Sequence, residues 1–184
     1  MLDHDLLQRL MTLLAELPSR KPHPRLPQEL DLLFERLQQD APSPSEHEVE
    51  DLIWQVWSEE EDAAAGDGLE AAIRALALRD LEEAELLLDR LAERYPDWPE
   101  VFNKRATLYF LTESDNEALE DILHTLELEP RHFGALAGLG QICLRNDEPE
   151  AAIAAFRAAI AINPHLIGAQ ALIEDLDDDK PLLN

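Results

Sequence analysis

The side chains of this sequence that are capable of catalysis or metal binding are six histidines, one cysteine and 40 carboxylates. A zinc site on a helix needs two histidine or cysteine ligands on one helical face, as in the HxxxH and HExxH patterns. No such pattern occurs among the histidines or with the cysteine: His4, His23, His47, His124, His132, His165 and Cys143. The sequence therefore predicts no metal site and no cofactor.

The sequence also lacks the local patterns of an activated nucleophile or a phosphate-binding loop. No serine lies in a GxSxG context, and no glycine-rich phosphate loop is present. Carboxylate pairs such as Asp115 and Glu117 are too frequent in so acidic a chain to indicate general acid–base catalysis. We predict that the chain is not an enzyme; loss of an assayable activity on mutation of His132 would be the best argument against this prediction.

The formal net charge of −25 limits the classes of partner. It repels the phosphates of nucleic acids and the surfaces of anionic membranes, so we expect a protein partner and no nucleic acid. Either a highly solvated surface or a basic partner would account for the acidity. The longest apolar run is far too short to span a bilayer, so we expect no membrane insertion.

The N-terminal residues give information on the cellular location of the protein. Asp3 and Asp5 lie where a secretory signal has lysine or arginine, and the apolar residues up to Leu17 recur on one helical face rather than in a continuous run. We expect a cytoplasmic protein, with a periplasmic location as the alternative if a leader has been removed. The single Cys143 excludes an internal disulfide.

The elements that must position a binding site are helices, because Ala, Leu and Glu are abundant and runs of Val, Ile and Thr are nearly absent. Over residues 65–166 the sequence repeats every 34 residues. The repeating columns are Pro96, Pro130 and Pro164; Ala84, Ala118 and Ala152; Leu88, Ile122 and Phe156; and Ala72, Ala106 and Gly140. Small residues let two antiparallel helices approach, large residues fill the space to the next unit, and proline ends each unit.

These columns resemble the tetratricopeptide repeat family. The residues that carry the resemblance are Phe102, Ala106, Tyr109, Ala118, Ile122 and Pro130 in the second unit, and Leu136, Leu139, Gly140, Ala152, Phe156, Ala159 and Pro164 in the third. The resemblance implies an all-α, right-handed α-solenoid of three helix hairpins, at 65–98, 99–132 and 133–166. The chain is also similar to small proteobacterial repeat proteins, a likeness that implies no biochemical activity.

The sequence departs from the family pattern at several positions. The first unit has Gly68 where a large aromatic residue is usual and Ala75 where tyrosine is usual. Arg105 occupies a position that is normally apolar, and the turns within the units lack glycine. These departures leave the columns recognisable.

The segments before the repeats are less regular. We predict a helix over 3–17 and a proline-rich linker within residues 1–26, then a degenerate, repeat-like hairpin over 27–64 that caps the array. The first helix could pack on the array, pair with a second copy or fill the groove. Trp54 and Trp57, three residues apart on a predicted helix, are more typical of a core than of a partner anchor.

The last repeat of a stacked array leaves an apolar face uncovered. We therefore expect a capping helix over 165–177, with apolar residues facing the array. The remaining residues, 178–184, are predicted to form a flexible acidic tail.

The resemblance implies a concave groove lined by the first helix of each unit. The predicted groove residues are Leu69, Ile73 and Leu76; Glu100, Asn103, Thr107 and Phe110; and Gly134, Ala137, Gln141 and Leu144, with Arg145 at the rim. The family's clamp for a carboxylate at a chaperone tail is disfavoured. Lys104 stands where that clamp has asparagine, and Gly134 and Gly138 stand where it needs cations.

Two functions remain compatible with these features. The first is a scaffold or adaptor whose groove binds a peptide or helical segment of a partner protein, of basic or amphipathic character. The alternative is a small acidic chaperone that shields an apolar segment of a client protein, acting as a homodimer held by helix 3–17.

Overall fold

A computed structural model describes residues 2–39 and 45–178, and these residues form ten α-helices. The helices are α1 (His4–Glu16), α2 (Glu29–Leu37), α3 (Ser45–Ser58), α4 (Ala63–Ala77), α5 (Leu81–Arg94), α6 (Pro99–Leu111), α7 (Asp115–Leu128), α8 (Phe133–Arg145), α9 (Pro149–Ile162) and α10 (Ile167–Asp178). A short 3-10 turn, Leu17–Ser19, follows α1.

The three predicted units are three helix hairpins, α4–α5, α6–α7 and α8–α9, that stack in chain order. The small-residue columns lie where the paired helices meet, and Ala72, Ala84 and Ala118 are all fully buried. The closest approach is in the third hairpin, where a Cβ added to Gly140 would lie 2.5 Å from the ring of Phe156. The prediction of an all-α helical-repeat solenoid is confirmed.

Arg105, the departure from an apolar column, is explained by its neighbours. Its guanidinium donates two hydrogen bonds of 2.8 Å to Asp121 and one of 2.9 Å to Asp89. The two carboxylates belong to α7 and α5, the helices on either side of α6. The arginine therefore links two consecutive hairpins through charge instead of apolar contact.

The turns within the hairpins share one unusual backbone conformation. Arg79, Glu113 and Asp147 have φ values of 61°, 61° and 58°, in the left-handed region that glycine adopts without strain. These three positions are 34 residues apart. All three turns thus adopt the left-handed conformation with a residue other than glycine.

Helix α1 lies on the outer face of the array, against α7 and α9. Asp3 caps the helix by accepting a hydrogen bond from the backbone N–H of Leu6 at 3.0 Å. The apolar face of α1 and an apolar stripe on α7 share one buried cluster, which includes Leu6, Leu7, Leu10, Leu13, Leu119, Leu123 and Leu126. Of the three positions considered for this helix, the structure has it packed on its own array.

The proline-rich linker is held on the array rather than hanging free. The backbone N–H of His23 donates to the carbonyl of Leu128 at 2.7 Å. Arg25 contacts Asp97 at 2.6 Å and Glu60 at 3.3 Å. The linker therefore passes over the edge of the array and leads from the outer face to the hairpin of α2 and α3.

The α2–α3 hairpin does not extend the stack as the predicted cap. Its core residues Phe34, Ile53 and Trp57 form a buried cluster with Phe133 of the third unit, and this cluster includes no described residue of α4. The indole N–H of Trp98 donates to the carbonyl of Trp57 at 2.7 Å. The hairpin packs on the turns between units because the apolar surface is there.

Helix α10 covers α9 and corresponds to the capping helix predicted over 165–177. Residues 179–184 of the predicted acidic tail lie outside the described residues. Across 2–39 and 45–178, no helix is both long and apolar enough to cross a membrane.

Glu113→Gly should raise the free energy of unfolding by about 0.5–1 kcal/mol. The substitution keeps the left-handed conformation but removes its cost for a residue with a Cβ, about 1–2 kcal/mol, and the greater unfolded-state entropy of glycine offsets part of the gain. Urea unfolding followed by circular dichroism measures the change. The control is Glu120→Gly, within α7 and exposed, which should lower stability by about 1 kcal/mol. Equal losses in both variants would contradict the strain at Glu113.

Candidate binding groove

The first helices α4, α6 and α8 form the inner face of the array, and α3 crosses their N-terminal ends. The indole ring of Trp54 lies between two of them: the Lys104 ammonium on α6 is 4.9 Å from its centroid, and Gly134 on α8 faces its edge. Further along α3, Glu50 accepts a hydrogen bond from Asn163 at 3.2 Å, in the turn before α10. One end of the predicted groove is therefore closed by a helix of the same chain.

His132 holds α3 against the array. It is the N-cap of α8, and its Nδ1 accepts a hydrogen bond from the backbone N–H of Ala135 at 3.1 Å. Because Nδ1 is an acceptor, the ring proton is on Nε2, which donates to Glu100 Oε2 at 3.0 Å. Trp57 stacks on the imidazole with ring centroids 4.0 Å apart. Both nitrogens are thus used in the fold, which leaves His132 no role as a catalytic base.

Glu100 is the charged centre of this contact and is fully buried. Its carboxylate accepts from Asn103 at 3.0 Å and lies 2.9 Å from the Lys104 ammonium. Burial opposes ionisation, but the charge of Lys104 and the hydrogen bond from His132 hold the pKa of the Glu100 carboxyl below its usual value. The buried charge is compensated on the inner face itself, directly beneath Trp54 and Trp57.

Beyond α3, the groove stays open as an apolar cavity of about 180 Å³ between α6 and α8. The absence of a side chain at Gly138 helps to leave this space open, whereas the space beside Gly134 is occupied by the Trp54 ring. Its lining residues are Asn103, Ala106, Thr107, Phe110, Ile122, Gly134, Ala135, Gly138, Gln141 and Ile142. A volume of this size is enough for one large apolar side chain.

The structure brings together five of the twelve predicted groove residues around this cavity: Asn103, Thr107, Phe110, Gly134 and Gln141. The guanidinium of Arg145 is 3.8 Å from the centroid of the Phe110 ring and is paired with Asp115. Ala137 and Leu144 are half-buried beside the cavity without lining it.

The remaining predicted groove residues are placed differently. Leu69 and Leu76 are buried in the core shared by the first and second units, and Ile73 packs against that core half-buried. Glu100 is fully buried under α3. The register correctly put these positions on the inner helices, but it carried no information on what covers them.

The residues of this site that sequence reasoning missed are Trp54 and five residues that line the cavity: Ala106, Ile122, Ala135, Gly138 and Ile142. For Trp54 the only signal was the glycine at position 134, which leaves space for an indole. The sequence indicated the packing surface of α1 more clearly. Leu119 and Leu123 are apolar, whereas the first unit has Glu85 and Asp89 in the same columns. Comparing units column by column would have located α1 on the outer face of α7.

The groove has little capacity for covalent chemistry. Cys143 is fully buried, and burial raises the pKa of its thiol to about 12, so it is not a thiolate nucleophile. No cluster of three histidine, cysteine, aspartate or glutamate side chains suited to a metal ion occurs in the described part of the chain.

Comparison with known proteins supports the identification of the repeats. Residues 116–166, which run from α7 through α9, match a family profile described as tetratricopeptide repeat. A TPR repeat-containing protein of Rhizobium etli is 29% identical over 137 residues, which cover 74% of this chain and 67% of that protein. The resemblance predicted from the 34-residue columns is confirmed.

Gly134→Ala should destabilise the protein and Gly138→Ala should not. A Cβ at Gly134 would overlap the Trp54 ring, at a cost of about 1–3 kcal/mol, against about 1 kcal/mol gained in helix propensity. A Cβ at Gly138 would meet only Ile122 at 3.8 Å, so this matched variant should gain about 0.5–1 kcal/mol. Denaturant unfolding with tryptophan fluorescence measures both. A stabilised Gly134→Ala protein would contradict the position of α3.

Glu100→Gln should make the acid dependence of stability shallower. A lowered folded-state pKa contributes stability above the usual value of 4.5, and this stability is lost as the pH falls through the folded-state value. The wild-type protein should therefore exceed the variant by about 1–3 kcal/mol at pH 7 and by progressively less below pH 4.5. Urea unfolding at a series of pH values measures the difference. The control is the exposed Glu117→Gln, and a Glu100 difference that stays constant into acid would refute the buried charge.

Proposed function

We propose that this tetratricopeptide repeat protein is an adaptor that holds a segment of a partner protein in the part of the groove left open by α3. Tetratricopeptide repeats generally mediate protein–protein interaction. The observation that carries the proposal is the apolar cavity between α6 and α8, bordered by the half-buried Phe110 and the exposed Thr107 and Gln141. An apolar recess with hydrogen-bonding groups at its edge is typical of a site for a peptide segment.

The polar groups beside the cavity suit a peptide. The side chain of Asn103 makes its one hydrogen bond within the described chain through Nδ2 to Glu100, so its carbonyl oxygen is available to a ligand N–H. Gln141, one turn below Gly138 on α8, has its amide exposed and forms no side-chain hydrogen bond to the described residues. These two amides could bind the backbone of an inserted segment on either side of its apolar side chain.

The groove is poorly suited to a terminal carboxylate. Its inner-face cations are already paired, Lys104 with the buried Glu100 and Arg145 with Asp115. A carboxylate would have to break one of these pairs without gaining a free cation in exchange. An internal segment of a partner is therefore a better ligand than a chain terminus.

The adaptor is favoured over the homodimeric chaperone by the position of α1. The apolar face of this helix is buried against Leu119 and Leu123 of its own chain, so it offers no surface for a second copy. Removing α1 would expose that stripe on α7. We expect deletion of residues 1–25 to reduce stability and solubility rather than to convert a dimer into a monomer.

Site-specific photo-crosslinking tests the proposed function. A photoreactive phenylalanine analogue at Gln141, introduced into the full chain in host cells, should crosslink to a defined partner band. The same analogue at Glu93, exposed on the outer helix α5, should not crosslink to that partner. Adding Phe110→Glu should reduce the Gln141 crosslink at least tenfold, because a carboxylate in the apolar cavity is costly.

Equal crosslinking from Gln141 and Glu93, or a Gln141 crosslink that survives Phe110→Glu, would place the partner elsewhere on the molecule. Circular dichroism of Phe110→Glu is the control for folding. A variant with unchanged helical content and a lost crosslink would support the groove as the site.

A further inference from the structure

We propose that the segment bound in the groove is cationic: a large apolar side chain fills the cavity, and a lysine or arginine a few residues away reaches an acidic recess between α3 and α4. This inference rests on the proposed function and names the chemistry of the partner. It follows from a second concavity on the same face, from the charge of α3, and from the contact that α3 already makes with the groove.

The second concavity has a volume of about 280 Å³. Its lining residues are Gln55, Ser58, Glu59 and Glu60, from α3 and the residues just after it, and Gly66 and Glu70 from α4. We call this concavity the acidic recess, because three of its six lining residues are glutamates. It is a product of the unexpected position of α3 and would not exist in a plain three-unit array.

The acidic recess and the apolar cavity lie on the same face of the array. In the 34-residue register, Gly66 and Glu70 of α4 correspond to Gly134 and Gly138 of α8, which line the cavity. Gly134 also contacts Trp54 of α3, so the cavity is continuous with the contact between α3 and the groove. A ligand that fills the cavity would therefore lie alongside the exposed side of α3.

The charge of α3 and of the four residues after it supports a cationic ligand. Residues 45–62 contain eight aspartate or glutamate residues and no lysine or arginine. Lys104, which lies against Trp54, is held by the buried Glu100 and adds little net positive charge to this wall. Opposite charge on a partner would steer its approach and fix its orientation in the groove.

The carboxylates of the recess are available to a ligand. Glu59 is exposed and, among the described residues, accepts only from Gln55, at 2.9 Å. Glu70 pairs with Arg74 at 2.9 Å, but both side chains are about two-thirds exposed, and such a pair contributes only a few tenths of a kcal/mol. A partner cation can replace Arg74 as the ion-pair partner of Glu70 at little cost in free energy. Glu60 keeps its own contact with Arg25.

The spacing of the two subsites predicts the spacing of the ligand's side chains. Neighbouring helices lie about 8–10 Å apart, so the recess beside α4 and the cavity between α6 and α8 are roughly 10–20 Å apart. An extended chain covers this distance in about three to six residues. The partner segment should therefore carry its cation about three to six positions from its large apolar residue.

A selection from a random 12-residue peptide library displayed on phage, against the purified full chain, tests the inference. Selected peptides should be enriched in one Leu, Ile, Met or Phe with a Lys or Arg about three to six positions away. The best peptide is then labelled, and its affinity is measured by fluorescence anisotropy at several salt concentrations.

Matched variants assign the two subsites. Gly138→Leu fills the cavity and should weaken binding at least tenfold, whereas Gly168→Leu, on α10 in open space, should leave it unchanged. Glu59→Gln with Glu70→Gln should weaken binding about threefold to tenfold and reduce its salt dependence. Glu82→Gln with Glu93→Gln, both exposed on the outer helix α5, makes the same charge change elsewhere and should have little effect.

Three results would overturn the inference, and they separate it from the proposed function. Peptides that need an open cavity at Gly138 but show no enrichment in lysine or arginine would refute the cationic partner and leave the groove as a binding site. Equal effects of the two glutamate pairs would refute the acidic recess. Failure to select any peptide, or binding that is insensitive to Gly138→Leu, would count against both proposals.

Discussion

The contact between α3 and the inner face of the array determines which part of that face stays open. It is built on a fully buried charge, Glu100, whose hydrogen bond from His132 and ion pair with Lys104 replace the water that burial removes. Trp57 stacks on His132. Without this compensated charge the N-terminal ends of α6 and α8 would be solvated, and α3 would have no polar surface of matching shape to cover.

This contact also divides the inner face into unequal parts. The chain's own tryptophans cover the inner face at Glu100 and His132, while the space between α6 and α8 stays open around Phe110. Carboxylates line a separate concavity between α3 and α4, formed by Glu59, Glu60 and Glu70.

The repeat units could be predicted from the sequence because each column has a local cause: a small residue at a close approach, a large one between units, a proline at a helix end. Gly140 against Phe156 is an example. The position of α3 could not be predicted in this way. The apolar stripe of Val49, Ile53 and Trp57 shows that the helix buries one face. Several apolar surfaces of the array could pack against that face. The three-dimensional arrangement of Phe133 and the turns between units decides which of them does.

The central claim is that α3 is a permanent wall of the groove. Native-state hydrogen exchange of the free, full chain measures this most directly, since amides in a packed helix exchange only when it opens. The account predicts that the amides of residues 49–58 are protected to a degree comparable with those of α6 and α8. Exchange of these amides at rates typical of an exposed loop, while α6 to α9 remain protected, would contradict it.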